Sequence, residues 1–232
     1  MKKIFQSLAF LLLCSFSSQA LDASITYSTF KSPSLNYVEV YLYVVGKTVT
    51  YVPNADSTMY QAGVEVVILF KQGEEIIKFD KYNLSSPKSS SQEDFIDLKR
   101  FALPDGGYQI EVSIQDNQDA GNVVRYDGAI KMDYPKDANV LLQSDIELLA
   151  SVKKSEKEEH VLVKNGFFVE PLPHNFYHKN LDKLIFYNEI YDTDKKIGDD
   201  FQVSYGIEMI INNKTKPIVI GHKKRKPQPI NV

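Results

Sequence analysis

Tyr37-Val38-Glu39-Val40-Tyr41 is written again, later in the chain, as Tyr187-Asn188-Glu189-Ile190-Tyr191. Side chains in a β-strand point to opposite faces in turn, so a period of two marks each stretch as a strand. The likeness extends outward from both. Tyr60-Gln61 opens the stripe Val64, Val66, Ile68 and Phe70; Phe201-Gln202 opens the stripe Tyr205, Ile207, Met209 and Ile211. The connection from Tyr41 to Tyr60 is longer than that from Tyr191 to Phe201. Such a difference costs little, since closure entropy grows only with the logarithm of loop length. The first copy continues through Leu103-Pro104-Asp105-Gly106-Gly107-Tyr108 and two more strands, and the second has nothing equivalent. The pattern predicts an all-β fold of two tandem immunoglobulin-like β-sandwich domains, the second incomplete.

Around these anchors the strand signals are dense. Val38, Val40, Leu42 and Val44 oppose Tyr37, Glu39, Tyr41 and Tyr43, and Lys71-Gln72-Gly73 reads as the turn of a hairpin returning at Ile77 and Phe79. Ser85 to Gln92 reads as a loop, and Phe95 to Phe101 as a short strand. Pro104-Asp105-Gly106-Gly107 is a strong turn before the alternating Tyr108, Ile110, Val112 and Ile114, and Tyr108 is placed for a tyrosine-corner role. The Pro135-containing polar stretch 133–139 marks the expected boundary between a first domain at 21–134 and a second at 140–232. In the second, Lys153 to Glu159 reads as a loop, Val161 to Glu170 and Leu184 to Tyr191 as strands, and Phe201 to Ile211 with Ile218 to Lys223 as a hairpin across Asn212-Asn213.

Residues 1–20 have the layout of a secretory signal peptide: Lys2 and Lys3, an apolar run to Phe16, then Ser18-Gln19-Ala20 before the expected cut. The run is short for a spanning helix, which needs about 20 apolar residues. Cleavage and export are expected, to a periplasmic, outer-membrane-associated or extracellular place, with no transmembrane segment left. Cys14 is the one cysteine and lies within that leader, behind Leu13 rather than a small residue, so neither lipidation nor a disulfide is expected. The fold must then be held by apolar burial. The formal charge is −3, and loss of Lys2 and Lys3 takes it to −5. A mildly acidic chain offers no electrostatic reason to bind nucleic acid, and Lys223-Lys224-Arg225-Lys226 reads as a solvated strand end.

The chemistry-bearing residues are sparse. His174 and His178 have helical ligand spacing, but Pro171 and Pro173 precede them and no acid completes a zinc motif. Asp116, Asp119 and Asn122 depart from the EF-hand spacing and read as a turn, as do Asp192, Asp194, Asp199 and Asp200. No nucleophile elbow or phosphate loop occurs. No metal and no cofactor are expected. The constellation that stands out is the repeated Tyr-x-Glu-x-Tyr: Tyr37, Glu39 and Tyr41, then Tyr187, Glu189 and Tyr191. Three such side chains on one face can form a platform for a polysaccharide or peptide. They can equally be a half-buried face packed against neighbouring structure, since tyrosine is a good strand residue.

The Tyr37–Tyr41 run, the Leu103-Pro104-Asp105-Gly106-Gly107-Tyr108-Gln109-Ile110 turn and strand, Ser144-Asp145-Ile146-Glu147-Leu148 and Leu184 to Tyr191, in that order, resemble the N-terminal β region of bacterial GWxTD-domain proteins of the Bacteroidetes type. The chain has no Trp, so the signature itself is absent, and the resemblance implies only the β region. It brings no activity to any residue. The resulting expectation is a non-enzymatic, exported binding or assembly module of a cell-envelope protein. A glycan-binding module and a hydrolase whose site assembles only on folding are the alternatives. Phe186, Ile190, Ile207, Met209 and Ile211 need an opposing layer, which a missing C-terminal region or a partner strand would donate.

Overall fold

The computed structural model describes residues 20–55, 58–135, 139–156, 159–211 and 214–232. The expected signal peptide up to Gln19, the Asn212-Asn213 turn and parts of the expected boundary and charged loop lie outside the described residues. The chain is almost entirely β, in several antiparallel sheets, as the alternation requires. Its residues fall into two compact units. One gathers the segment ending at Ala23 with Tyr43–Ile96 and Ile110–Gly128; the other gathers Ser24–Leu42, Asp97–Gln109 and Ala129–Val232.

Strands β1 (Ala23–Phe30), β2 (Tyr37–Val44), β3 (Tyr51–Pro53), β4 (Tyr60–Gln72), β5 (Glu75–Ser85), β6 (Phe95–Ala102), β7 (Gly106–Asp116) and β8 (Val123–Met132) make up the first half of the chain. In the first unit β4 is the organising strand. It pairs antiparallel with β3 at Tyr60–Ala62 and with β5 from Gly63 to Gln72, and β7 lies on its other side, followed by β8. Ala62, Val64, Val66, Ile68 and Phe70 of β4 are all buried, as are Ile110, Val112 and Ile114 of β7. At about 1.5–3 kcal/mol for each large apolar side chain, these two stripes are the main stabilising element of the unit. The Asp116–Asn122 segment closes the β7–β8 connection through its own backbone. Asp116 accepts the N–H groups of Thr50 (2.7 Å) and Gln118 (2.9 Å), Asp119 accepts that of Gly121 (2.9 Å), and Asn122 donates to the Thr48 carbonyl (3.0 Å).

In the second unit β2 is the middle strand of the sheet β1-β2-β6. Val38 and Val40 are buried on one side and Glu39 and Tyr41 on the other, so both faces of β2 are covered. The Tyr108 hydroxyl donates back to the Pro104 carbonyl at 2.9 Å, the bond that defines a tyrosine corner.

The rest of this unit is made of β9 (Leu142–Gln143), β10 (Glu147–Lys154), β11 (Val163–Lys164), β12 (Phe167–Pro171), β13 (Ile185–Tyr187), β14 (Ile190–Tyr191), the one-turn helix α1 (Thr193–Lys196), β15 (Phe201–Ile211), β16 (Lys214–Arg225) and β17 (Ile230–Asn231). Two strands that look continuous in the sequence are divided. Val161 to Glu170 is a tight hairpin, β11–β12, because Asn165 (φ 47°) and Gly166 (φ 78°) both take left-handed backbone. That is the two-residue turn whose twist matches the strands it joins. Leu184 to Tyr191 breaks at Asn188–Glu189: β13 pairs with β10, whereas β14 pairs with β9 and β17. The strand leaves one sheet and enters another, and the Asn188 amide bridges the break by donating to the Ser144 carbonyl at 2.8 Å.

A Gly166→Ala substitution is expected to cost about 1–2 kcal/mol, because left-handed backbone disfavours a Cβ. The space around Gly166 is open, so the effect is conformational rather than steric. A lower urea midpoint with an unchanged slope is the expected measurement.

Candidate functional site

The two Tyr-x-Glu-x-Tyr segments meet in the second unit around one ammonium group. Lys164 ends β11, and the Asn165-Gly166 turn behind it points the chain back, so Lys164 and Asn165 are delivered together. Lys164 is buried. Its Nζ pairs with Glu39, lies 2.6 Å from Glu147 Oε2 and donates to the Tyr41 hydroxyl at 2.7 Å. Three rings surround it, with centroids 4.3 Å (Phe30), 5.1 Å (Tyr187) and 5.3 Å (Tyr41) away, so cation–π attraction adds to the ion pairs. Glu39 is fully buried and has two further partners: the Tyr41 hydroxyl and, at 2.7 Å, Arg100 Nε. Arg100 then donates to the Val161 carbonyl at 2.9 Å, which ties β6 to the start of the hairpin.

The second copy supplies a matching set. The Tyr187 hydroxyl donates to Glu189 Oε1 at 2.5 Å, and the Asn165 amide donates to the same carboxylate (3.0 Å) and to the Tyr187 hydroxyl (2.6 Å). The Glu189 N–H donates to Ser144 Oγ at 2.9 Å. Tyr191 accepts the Lys31 N–H at 3.0 Å and meets Tyr134 edge to face. Beneath the polar groups, Phe30, Leu149, Val169 and Tyr187 form an apolar core against which Tyr37 packs, stacked on Phe30 at 5.4 Å.

Tyr41, Tyr187 and Tyr191 are therefore buried, Glu39 and Glu189 with them, and Tyr37 is half-buried. The faces that looked like a platform point at each other. Sequence reasoning did not find Lys164, Arg100, Asn165 or Glu147. Asn165-Gly166 was the available signal, since an Asn-Gly pair between apolar runs marks a hairpin. Nothing local marks Arg100 or Glu147, which join the cluster only through sheet pairing.

Burial shapes the titration of the cluster. Desolvation pushes the Glu147 carboxyl above its ordinary value, and Lys164 only partly opposes the rise. Its Oε1 is buried and has no hydrogen-bond partner. Desolvation, reinforced by neighbouring carboxylates, also raises the phenols of Tyr37, Tyr41, Tyr187 and Tyr191, and burial raises Tyr134. Tyr43, in the first unit, is pushed up to about 12 by burial and by its bond to Asp94. A phenol raised in the fold stabilises it fully below the unfolded value of about 10, and that stabilisation is lost as pH rises through the folded value. Spectroscopic alkaline titration is expected to show exposed tyrosines ionising first and the five second-unit phenols ionising only together with cooperative unfolding. Smooth ionisation of all 14 tyrosines while the fold persists is the opposite result.

The other polar groups singled out from the sequence lie apart from this cluster. His174 sits in the 3₁₀ turn Pro173–Asn175, where its N–H donates to Ser24 Oγ at 3.1 Å. His178 Nδ1 accepts the Asn180 N–H at 3.4 Å. Asp192 pairs with Lys31 and Lys195, and both hydrogen bonds hold its carboxyl below the usual range. Among the described residues, no group of three or more His, Cys, Asp or Glu side chains is placed to hold a metal ion. Nor is any helix among them long and apolar enough to cross a membrane.

The second feature of functional interest is the β15–β16 hairpin. Among the described residues it is a two-stranded sheet, and most of it is exposed. Tyr205, Met209, Ile210, Ile211, Ile218 and Ile220 all present apolar surface to solvent, Ile210 at 74 % of its full exposure. The Tyr205 ring packs edge-on against Phe186, itself partly exposed.

Comparison with protein-family models returns no match, and neither does comparison with curated proteins.

Proposed function

We propose that this chain is an exported, non-enzymatic binding or assembly module of a bacterial cell envelope, built from two related immunoglobulin-like β-sandwich parts. The observation that carries the reading is the contrast between its two polar and apolar specialities. The charged side chains that converge are sealed against one another around Lys164. The apolar side chains that a folded domain normally hides are open along β15–β16. A surface of that kind marks a place of association. The leader-like residues 1–20 support export, and the ordered resemblance to the N-terminal β region of GWxTD-domain proteins supports a bacterial envelope setting. A polysaccharide platform at Tyr37, Glu39, Tyr41, Tyr187, Glu189 and Tyr191 draws no support from rings and carboxylates that are mostly buried.

The test is expression of the full chain in a Gram-negative host, with intact-mass analysis and a photo-crosslinking residue at Met209. The expected result is an envelope-located protein beginning at Leu21 that gives discrete crosslinked species. A cytoplasmic chain that keeps residues 1–20, or turnover of a substrate that vanishes on changing one polar residue, overturns the proposal.

A further inference from the structure

The two hairpins share a stripe pattern, although their single extra residues fall at different places along it. Each has a single extra residue on its returning strand, Ile77 in β5 and Ile218 in β16. Each returning strand is charged: Lys78, Asp80 and Lys81 in β5; Lys214, Lys216, Lys223, Lys224 and Arg225 in β16, which also has Pro217. Charge and proline are what blunt an edge against further pairing. The leading strands carry less charge: β4 has Glu65 and Lys71. β15 runs Phe201–Ile211 with Glu208 as its one charge and with no proline or lysine. In β4 the corresponding edge is taken by β7. The stripe Ala62, Val64, Val66, Ile68 and Phe70 is buried there, whereas its counterparts Val203, Tyr205, Ile207, Met209 and Ile211 are half-buried or exposed.

From this we infer that the free edge of β15 is a strand-acceptor site, and that its occupant is an extended strand of another protein, apolar at alternate positions and acidic between them. The inference rests on the binding-module reading and names the kind of partner. The acceptor supplies a row of backbone N–H and C=O groups plus an apolar face, the two requirements of strand addition. The acidic character follows from charge. The 201–225 segment carries five lysine and arginine side chains against Glu208 alone. A second copy of the same hairpin would bring like charges together. The first unit shows the favourable arrangement: β7 is apolar at Ile110, Val112 and Ile114 and lysine-free, and its Glu111 holds Lys71 of β4 at 2.8 Å.

The probe is a synthetic peptide spanning Asp105–Gln118, which is apolar at alternate positions, free of lysine and arginine, and carries Asp105, Glu111 and Asp116, added to the full chain and read by amide hydrogen exchange. Exchange in 201–211 is expected to slow on the order of tenfold at saturation. A peptide carrying Ile110→Ser, Val112→Ser and Ile114→Ser is expected to have no effect. Tyr205→Lys and Met209→Lys, both at exposed positions, should abolish the protection while leaving the thermal transition in place. Phe79→Lys, at a still more exposed position but on β5, should leave it intact. The inference is overturned by no protection at millimolar peptide, by equal protection from the serine-substituted peptide, or by protection that rises with protein concentration alone, which would make a second copy the occupant. An exported chain that gives discrete crosslinked species from Met209 but shows no peptide protection of 201–211 removes this inference and keeps the module. A peptide-protected β15 in a chain that stays cytoplasmic does the reverse.

Discussion

Lys164→Ala is expected to destabilise the protein by roughly 3–5 kcal/mol, the usual cost of removing one partner from a buried ion pair. The ammonium serves Glu39, Glu147 and the Tyr41 hydroxyl at once, inside three aromatic rings. Without it Glu39 keeps Arg100, but Glu147 keeps no cation, and one of its oxygens is already unpartnered. The effect therefore depends on pH in a definite direction. Burial already raises Glu147, and loss of Lys164 raises it further. A carboxyl raised in the fold stabilises it below the unfolded value of about 4.3, and that contribution is lost as pH rises through the folded value. The deficit of Lys164→Ala should then be largest at neutral pH and shrink on acidification. A double variant, Lys164→Met with Glu147→Leu, removes charge and countercharge together and should recover most of the loss, since apolar replacement of a whole buried pair is often neutral. Urea denaturation of the three proteins at neutral and mildly acidic pH measures all of this. A Lys164→Ala protein as stable as the parent, or a double variant no better than the single one, would falsify the account.

The second large effect is a matched pair. Phe70→Ala in β4 should cost about 3–5 kcal/mol, because a fully buried ring is replaced by a cavity. Ile211→Ala, at the corresponding place in β15, should cost less than about 1 kcal/mol, as expected of a half-exposed strand residue. The two positions have the same rank in the repeat, one a buried phenylalanine and the other an exposed isoleucine. Equal losses would mean that the second stripe is covered in solution. Thermal and chemical denaturation of the two variants are the measurements, and a solubility gain for Ile211→Ala is expected besides.

Much of the fold was legible because alternation is a strong signal where one face is buried. β4 and β7 follow their stripes closely, the Pro104–Gly107 turn is where its residues put it, and Tyr108 makes its corner bond. β2 was harder. Its tyrosines and glutamate read either as a platform or as a half-buried packed face, and the strand is covered on both sides; period-two patterning alone cannot tell a polar residue facing water from one facing a buried countercharge. The divided strands failed for different reasons. At 161–170 the Asn-Gly turn signal was present, between the short apolar runs Val161–Val163 and Phe167–Val169, but the segment was read as one strand. At 188–189 no residue type announces that a strand changes sheets. The cluster itself joins residues from β2, β6, β10, β11 and the β13–β14 break. Its members come together through pairing across long stretches of chain, which no local spacing encodes.

The Asn165-Gly166 turn also sets a chemical clock. Asparagine followed by glycine is the pairing most prone to lose its side-chain amide on ageing, and thermolabile asparagines are avoided where proteins must last. Here the amide nitrogen is a donor to both Tyr187 and Glu189. Hydrolysis would leave an oxygen where that nitrogen was, an acceptor facing an acceptor and a new anion beside an old one. Stored preparations should therefore accumulate a one-dalton-heavier species that melts earlier, and their shelf life would be set at this corner rather than at an asparagine without a following glycine.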